Sequence, residues 1–410
     1  MAPRPSSADP YAPLPPHLDP RGRHRGHRGP GGGQRLAALR VFGRTLGVIL
    51  SVGLLLLAGY YWYTFRNINN GVPRRNVAVG AQPSGKTDID GTDQNILLVG
   101  NDDRSNMTDA EVRDLHVGRD GGSKATDTMM IVHVPADGSK ATLISLPRDS
   151  YVDIPGHGHN RLNAAYVLGY NAAKDGGDTD ADAQTAGADL LIKSITNLTG
   201  LTINHYIQVS LLGFYEISKA IGGVTINLCK NVDDTTAANR AAGLDGGSGF
   251  KMSRGRHTIS GKSALQFVRQ RHFLSGGDLD RVRRQQYFLT SAFRSIASAG
   301  LLFKLNALGN AVKRNIVLDK GLDLVDLAKQ MENLQANNIV GRTIPTTDAN
   351  IDGNSVLAVD PAKVQRFVAN VINPPAPVKS SSTPSPTTSR SAGASASASA
   401  SKAIDAKCIN

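Results

Sequence analysis

The strongest local signal of a chemical site in the chain is the arginine-containing run RQRHFLSGGDLDRVRRQQ at residues 269–286. Arg269 and Arg271 alternate, as they would on an extended segment with both side chains on the same side. Guanidinium groups that converge on one region repel each other unless an anion lies between them. Because planar, bidentate donors suit phosphate oxygens in particular, the pattern predicts a polyphosphate-binding site.

A helix is predicted to begin near Gly277 in the same run, because apolar residues then form one stripe: Leu279, Val282, Leu289, Phe293 and Ile296. Asp278, Arg281 and Gln285 follow at i, i+3 and i+7, so they share a strip that borders the buried face. Arg283 is expected on the opposite side. A solvated basic helix is the simpler interpretation of such a run, but the matched spacing and a second polar cluster favour phosphate binding.

The second polar cluster lies at the ends of predicted strands, in the runs NDDRS and PRD and at the start of TMMIVHV: Asp102, Asp103, Asp127, Arg148 and Asp149. Ligand sites in α/β sheets gather where loops leave strand ends. Carboxylates beside arginines suggest that a hard cation accompanies the phosphate, and magnesium takes only one or two carboxylates plus phosphate oxygens and waters. We therefore expect a magnesium (or manganese) site drawn from Asp102, Asp103 and Asp127.

Short apolar runs alternate with segments of helical periodicity from Gln94 onward. Strands are predicted at 95–100, 128–134, 141–146, 224–228 and near 338–344. Helices are predicted at 184–198, 211–221, 260–268, 278–299, 322–336 and 361–372. This order predicts one α/β domain over residues 93–374, with helices on both faces of a mixed sheet.

Twenty residues without a charge, 46–65, precede this domain. At about 1.5 Å per residue they suffice to cross a hydrocarbon core of roughly 30 Å. Arg35, Arg40 and Arg44 come just before, so the positive-inside rule keeps the N-terminus in the cytoplasm. A cleaved signal peptide is the alternative, but its apolar core is shorter, and its cleavage needs small residues where bulky aromatics stand here. We expect a single-pass cell-membrane protein with its domain outside the cytoplasm.

Charge and composition indicate which partners and which segments to expect. The net charge is +12, but the first 44 residues hold eight arginines against two acids, so the exported part is only mildly basic and nucleic acid is not the expected partner. Three further segments are predicted from composition: a disordered Arg/Pro/Gly-rich tail at 1–45, a linker at 66–92 and a Ser/Ala/Pro-rich low-complexity tail at 375–410.

Other candidate motifs carry less information. Cys229 and Cys408 are too few for a disulfide framework, and pairing with each other or remaining independent thiols are both open. His157 and His159, in GHGHN, have no third ligand placed with them and are interpreted as a solvated loop. No G-x-S-x-G signature appears, so a serine hydrolase has little support.

Several motifs resemble, in order and spacing, the LytR-CpsA-Psr family over roughly residues 94–300: NILLVGNDDR, ATDTMMIVHV, LISLPRDSYVDIPG, RLNAAYVLG, INHYIQVSLLGFYEISKAIGGV, and GRHTISGKSALQFVRQRH with GDLDRVRRQQ. The resemblance implies a membrane-anchored, extracytoplasmic phosphotransferase that takes a glycopolymer from a polyprenyl-diphosphate carrier and joins it to peptidoglycan through a phosphodiester. It also implies a three-layer α/β/α sandwich with a central mixed sheet and a hydrophobic pocket for the polyprenyl tail.

The resemblance also implies roles for individual residues. Asp127 falls on the family aspartate linked to the metal. Diphosphate binding falls on the PRD arginine, the R-x-R pair and the D-x-x-R-x-x-x-Q helix: Arg148, Arg269, Arg271, Asp278, Arg281 and Gln285. Many members have an arginine two residues before the aspartate, and this chain has Ala125 there. One diphosphate contact is therefore absent or supplied elsewhere, with Lys124 and Arg104 as candidates.

The predicted reaction is transfer of a phosphoglycosyl polymer from a lipid diphosphate to a sugar hydroxyl of the cell wall. Arginines, Arg148 among them, and a divalent cation would stabilise the departing lipid phosphate. Asp127 or Asp149 is the general base, and the sequence does not choose between them. Two alternatives stay open: a polyprenyl-diphosphate pyrophosphatase with water as acceptor, and a non-catalytic lipid-diphosphate-binding or regulatory protein.

Overall fold

The computed structural model of the chain describes residues 32–80, 91–104, 107–115, 122–244, 246–274, 277–298, 309, 311, 313–331, 334–374 and 408–409. The chain divides into two compact units, residues 1–60 and 61–410. Most of the predicted N-terminal tail and most of the predicted low-complexity C-terminal tail lie outside the described residues.

A long helix, α1 (Gly32–Gly71), contains the predicted membrane span. Its part from Arg44 to Gly71 is long and apolar enough, by length and composition alone, to cross a membrane. Large apolar side chains along it, such as Leu55 and Trp62, are exposed, and a helix that is apolar all round is typical of a protein core or a membrane span. The apolar N-terminal helix is confirmed. It begins at Gly32, inside the tail predicted to be disordered over 1–45, and ends at Gly71, two residues before Pro73, which cannot continue a helix.

The central sheet contains seven strands of the described chain: β1 (Arg74–Arg75), β2 (Gln94–Asp103), β3 (Gly122–Val134), β4 (Ala141–Leu146), β7 (His205–Ser210), β12 (Ile316–Asp319) and β13 (Ile339–Thr343). Their order is β1-β12-β7-β2-β3-β4-β13. β3 is antiparallel to both β2 and β4, whereas β7 is parallel to β2 and β13 is parallel to β4. The sheet is therefore mixed, as predicted.

The remaining strands form smaller sheets: β5 (Ser150–Ile154), β6 (Gly158–Arg161), β14 (Thr347–Ile351) and β15 (Asn354–Ala358) in the order β14-β15-β5-β6, β8 (Val224–Leu228) with β11 (Gly255–Ile259), and β9 (Val232–Asp233) with β10 (Lys251–Met252). The helices of the same unit are α2 (Asp109–Leu115), α3 (Ala164–Asp175), α4 (Asp180–Thr199), α5 (Leu211–Ala220), α6 (Thr236–Ala241), α7 (Gly261–Arg269), α8 (Gly277–Ser298), and the two later helices Leu324–Gln330 and Pro361–Ile372.

Helices cover both faces of the central sheet. On one face Leu97 and Val99 of β2 pack in a core with Ile195 of α4 and with the helix Pro361–Ile372. Because side chains alternate along a strand, Ile96 faces the other side, where Leu289 of α8 packs against the same core cluster. The predicted three-layer α/β/α sandwich is confirmed.

Residues 66–80, the described first part of the linker predicted at 66–92, belong to the folded unit, and residues 81–90 lie outside the described residues. Helix α1 continues to Gly71, and β1 then pairs in parallel with β12 at the edge of the central sheet. Arg75 donates a hydrogen bond to Gln208 Oε1 (3.0 Å), and Val77 is buried in the core. The polar composition of this stretch was misleading, because its backbone pairs with a strand far along the chain that a local pattern does not reveal.

The end of the C-terminal tail is fixed to the domain. Cys229 and Cys408, which are 179 residues apart, form a disulfide. The N–H of Ile409 donates to the carbonyl of Asn227 (2.8 Å), and its carbonyl accepts from the N–H of Cys229 (3.0 Å). The last residues thus extend the edge of β8, which the low-complexity composition of 375–410 did not predict.

Replacing Cys408 by serine is expected to lower the free energy of unfolding by about 2–4 kcal/mol, because the unfolded chain regains the entropy of a long closed loop. Chemical denaturation of the oxidised protein measures this difference. Cys229→Ser and the double variant should lose the same amount, since each breaks the same bond. Wild-type stability in either single variant would contradict the structural role of the disulfide.

Candidate functional site

A cavity of about 660 Å³ lies between the central sheet and helices α5, α7 and α8. Its inner wall is apolar and is formed by strands and helices together, among them Leu98, Ile207, Phe214, Ile217, Leu265, Phe288, Leu289 and Phe293. Such a lining excludes polar ligands from the interior, since each buried polar group would lose its hydrogen bonds to water. The interior suits a long hydrocarbon chain.

The polar part of the cavity wall, which we call the mouth, includes most of the residues predicted from the sequence: Asp102, Arg104, Asp127, Arg269, Arg271, Arg281 and Gln285. They come from β2, β3, the end of α7 and α8, which are far apart in the chain. Three predicted residues, Asp103, Arg148 and Asp149, are not part of the cavity wall. Asp278 lies in the first turn of α8, and its side chain lies outside the described residues.

Arg269 and Arg271 face the cavity because Gln270, between them, is buried. Gln270 is 1% exposed, and its Nε2 donates to the carbonyl of His272 (2.9 Å). Its Oε1 accepts a hydrogen bond from Arg284 of α8. Arg269 is the last residue of α7 and Arg271 follows Gln270, so the anchored Gln270 fixes the short segment from which both arginines line the cavity.

Arg284 is the residue that the sequence did not reveal. It is fully buried, and its guanidinium lies 4.8 Å from the ring centroid of Phe267 and 6.0 Å from that of Phe250. Burial lowers the pKa of Arg284 to about 10, and the charges of Asp280 and Asp234 oppose that shift. Arg284 is adjacent to the exposed Arg283 on α8, and nothing in the local sequence pattern indicates which of the two arginines is buried.

Arg281 and Gln285 lie one turn apart on α8 and both line the cavity. Arg281 is 3% exposed, and Gln285 Nε2 donates to the carbonyl of Val268 (3.4 Å). Arg283 is exposed instead and pairs with Asp280 at 2.7 Å. The predicted strip is therefore present for the two members whose side chains are described.

Asp127 reaches the cavity mouth through an irregularity in β3. Thr128 pairs with Gly100 of β2 and Thr126 pairs with Asn101, so Asp127 is an extra residue with no partner position in β2. Such a β-bulge redirects the side chain at its position. The carboxylate of Asp127 is 41% exposed, and solvent-borne molecules can therefore approach it.

Arg148 and Asp149 flank Asp127 from the loop between β4 and β5. Arg148 Nη1 lies 2.8 Å from Asp127 Oδ1, and Arg148 Nε lies 3.3 Å from Asp149 Oδ2. Asp149 Oδ1 lies 3.8 Å from Nε of Arg161, at the end of β6. Four alternating charges thus lead away from the mouth, with Asp127 at the cavity end and Asp149 held between two guanidiniums.

The charges at the mouth act on one another. Burial lowers the pKa of Arg269, the charge of Asp102 opposes this shift, and the neighbouring Arg104 and Arg271 lower the pKa further. The positive side chains are therefore close enough to repel each other. An anion bound among them would remove this repulsion.

A divalent cation at this place needs oxygen ligands. Within the described residues no three His, Cys, Asp or Glu side chains converge on one point. Asp102 and Asp127 line the mouth together with Asn101, whose buried side-chain oxygen has no hydrogen-bond partner in the described part of the chain. These donors fit magnesium or manganese bound by one or two carboxylates, with phosphate oxygens and waters completing the shell.

Asp103, the third acid expected at the metal, lies elsewhere. Burial raises the pKa of Tyr166 and the charge of Asp103 adds to that shift, so Asp103 lies close to α3. Helix α3 packs on the face of the sheet opposite the cavity. Neighbours along a strand point to opposite faces, and Asp102 and Asp103 are separated for that reason.

Comparison with known proteins agrees with this fold and geometry. A family model, the LytR_cpsA_psr family, matches residues 63–372. The chain belongs to the LytR-CpsA-Psr family.

Individual members of the LytR-CpsA-Psr family are similar to this chain in sequence or in fold. The cell wall biosynthesis protein LcpA of Corynebacterium glutamicum is 35% identical over 362 residues, covering 82% of this chain and 67% of that protein. The polyisoprenyl-teichoic acid–peptidoglycan teichoic acid transferase TagU of Oceanobacillus iheyensis is 31% identical over 286 residues, covering 67% and 77%. The structure of B. subtilis TagV shares the fold, with a TM-score of 0.52 at 17% identity, covering 69% of this chain and 98% of that one.

This LytR-CpsA-Psr chain has Ala125 where the sequence resemblance implies an arginine, and the structure distinguishes the two candidate substitutes. Arg104 lines the cavity mouth and forms an ion pair with Asp102. Lys124 lies 3.9 Å from Asp180 and 4.6 Å from the ring centroid of Tyr170, on the side of α3 and α4. Of the two, only Arg104 is placed to contact a ligand in the cavity.

Arg104→Gln is expected to weaken binding of a short-chain prenyl diphosphate by about 10- to 100-fold, since a charge-assisted hydrogen bond contributes about 1.5–3 kcal/mol. Calorimetric titration measures the dissociation constant. Lys124→Gln removes the same charge on the other face of the sheet and should keep wild-type affinity. Equal losses in the two variants, or a loss in Lys124→Gln alone, would reject the assignment of Arg104.

Proposed function

We propose that this chain is a membrane-anchored phosphotransferase that moves a glycopolymer from a polyprenyl-diphosphate carrier to a sugar hydroxyl of peptidoglycan. The observation that carries the proposal is an apolar cavity whose mouth is lined by Arg104, Arg269, Arg271 and Arg281. A lipid diphosphate is the ligand class whose apolar and anionic halves match these two regions. The names of two relatives, a cell wall biosynthesis protein and a teichoic acid transferase, support a transferase role.

The cavity and its mouth would bind the donor by different forces. The polyprenyl chain leaves water along its length, which contributes about 25 cal/mol per Å² of apolar surface. The diphosphate stays at the mouth, accepts hydrogen bonds from the guanidiniums and relieves their repulsion. The apolar half therefore supplies affinity, and the arginines place the phosphorus atoms beside Asp127.

In the proposed reaction the oxygen of the acceptor hydroxyl forms a bond to the sugar-linked phosphorus. The bond from that phosphorus to the bridging oxygen breaks, and the bridging oxygen leaves with the electron pair as part of the polyprenyl phosphate. Arg269, Arg271 and Arg281 hold the charge that develops on the departing group.

Asp127 is the group to which we assign the proton of the acceptor hydroxyl. It lines the mouth and is 41% exposed, whereas Asp149 lies outside the wall between Arg148 and Arg161. A carboxylate that binds a metal is a weaker base, so we do not assign Asp127 to the metal as well. The remaining oxygen donors of the mouth, Asp102 and Asn101, would hold Mg²⁺ or Mn²⁺. When bound, the cation would neutralise charge on the phosphate oxygens.

Asp127→Asn keeps the shape of the side chain and removes its charge, so folding should survive. Transfer of a labelled glycan from a lipid-linked donor to peptidoglycan strands, with magnesium present, should fall by about 10²- to 10⁴-fold. Asp149→Asn is the matched control and should lose much less. A near wild-type rate for Asp127→Asn would make Asp127 a structural residue.

The same assay tests the function itself. Release of polyprenyl phosphate by the wild-type protein without any acceptor product would indicate a pyrophosphatase. Tight donor binding without turnover would indicate a binding or regulatory protein. Either result would reject the transferase proposal.

The orientation in the membrane follows, in this proposal, from the arginines that precede α1's apolar part. A reporter enzyme that is active only outside the cytoplasm, fused after residue 92, should be active and should remain in the membrane fraction. A fusion after residue 40 should be inactive. Reporter activity released into the medium would show cleavage and contradict a permanent anchor.

A further inference from the structure

One face of the sheet β14-β15-β5-β6 presents polar and aromatic side chains to solvent. Along β5, Val152 is buried in the core, whereas its neighbours Tyr151 and Asp153 face outward. Antiparallel pairing sets Arg161 of β6 opposite Tyr151 and His159 opposite Asp153. These four residues, Tyr151, Asp153, His159 and Arg161, form what we call the β5–β6 face.

The β5–β6 face combines two rings with charged groups at their edges. The ring centroids of Tyr151 and His159 lie 5.7 Å apart, with the planes inclined by 34°. His159 Nδ1 is 3.9 Å from Asp153 Oδ1, and Arg161 Nη2 donates to the carbonyl of Ser355 (3.0 Å). The large apolar side chains exposed in the described chain lie elsewhere, so the face lacks the apolar patch of a lipid- or protein-docking surface.

Arg161 connects this face to the reaction centre. Its Nε lies 3.8 Å from Asp149, Asp149 lies 3.3 Å from Arg148, and Arg148 lies 2.8 Å from Asp127. The β5–β6 face is therefore linked to Asp127 through Arg148 and Asp149, which lie in the loop directly before β5. A polymer lying on it would reach the exposed carboxylate of Asp127 without crossing the cavity.

The approach direction of the second substrate favours the same surface. The lipid donor occupies the cavity, so its leaving group points inward. In a phosphoryl transfer the attacking and leaving oxygens lie roughly in line, on opposite sides of the phosphorus. The acceptor hydroxyl has to come from the solvent side of the mouth, where Asp127 is exposed.

We propose that the β5–β6 face binds the acceptor, as an uncharged strand of N-acetylated sugars. Sugar rings have an apolar C–H face and a polar rim, and the rings of Tyr151 and His159 have the same two-sided character. Asp153 accepts and Arg161 donates hydrogen bonds to hydroxyl and acetamido groups. Their opposite charges cancel, so the face suits a neutral polysaccharide and neither nucleic acid nor an anionic membrane. The inference rests on the proposed transferase function.

The test uses the full-length protein in detergent, with the β-1,4-linked tetramer of N-acetylglucosamine as the binding probe. Tyr151→Ala and His159→Ala should each weaken probe binding by about 2- to 10-fold and raise the KM for the glycan acceptor in the transfer assay by a similar factor. Tyr151→Phe keeps the ring and should behave as wild type. Asn350→Ala, on β14 of the same sheet, is the control that should change neither quantity.

The outcomes separate this inference from the proposed function. Unchanged probe binding and acceptor KM in the Tyr151→Ala/His159→Ala variant of a protein that transfers glycan would overturn the surface and leave the function. A loss of prenyl-diphosphate affinity in that variant would assign the face to the donor and overturn it too. Probe binding that depends on Tyr151 and His159, in a wild-type protein that transfers nothing, would reject the function and retain the surface.

Discussion

Repulsion between like charges at the cavity mouth is the constraint on which the site depends. Burial lowers the pKa of Arg269 and Asp102 opposes that shift, but neighbouring Arg104 and Arg271 lower the pKa further, which is the effect of this repulsion. Arg269 and Arg271 stay together because the buried Gln270 between them is bonded to Arg284, and α8 carries Arg281 beside them. A cluster held in place before its ligand arrives spends no free energy on reorganisation, so an anion gains the full electrostatic benefit.

Arg284, which holds Gln270 in place, is itself a buried cation and depends on the residues packed around it. A buried cation is tolerated only where hydrogen bonds and opposite charge offset its lost hydration. Here Asp234 contributes, and it is itself fixed by the N–H of Ser248 (3.0 Å) and by Asn239 (2.7 Å). The segment from β9 to β10 is therefore organised around the anchor of the arginine pair. The disulfide of Cys229, directly after β8, holds Cys408 against the same part of the chain, three residues before β9.

The sequence predicted the site residues that follow one another at a regular spacing. It did not predict the features that depend on a contact between residues distant in the chain. The periods of α8 and of the R-x-R segment were enough to place Arg269, Arg271 and Arg281 together. Asp103 was grouped with Asp102 because both follow the strand predicted at 95–100, but β2 continues through Asp103, and alternation along it sends the two side chains to opposite faces. The bulge at Asp127 and the pairing of β1 with β12 depend on partners distant in the chain, and no local pattern encodes them.

Asp127 stands where two surfaces of different character meet. On the cavity side its neighbours are guanidiniums and apolar walls, and on the solvent side the ladder through Arg148 and Asp149 ends at Arg161. A regular β3 would give Asp127 a partner position in β2 and a side chain committed to one face of the sheet, whereas the bulge leaves it at the edge between them. In the proposed reaction the base takes a proton from the acceptor while the polyprenyl phosphate departs, so it needs to reach both substrates. The bulge in β3 meets that geometric requirement, whereas a regular strand would direct the side chain of Asp127 to one face of the sheet.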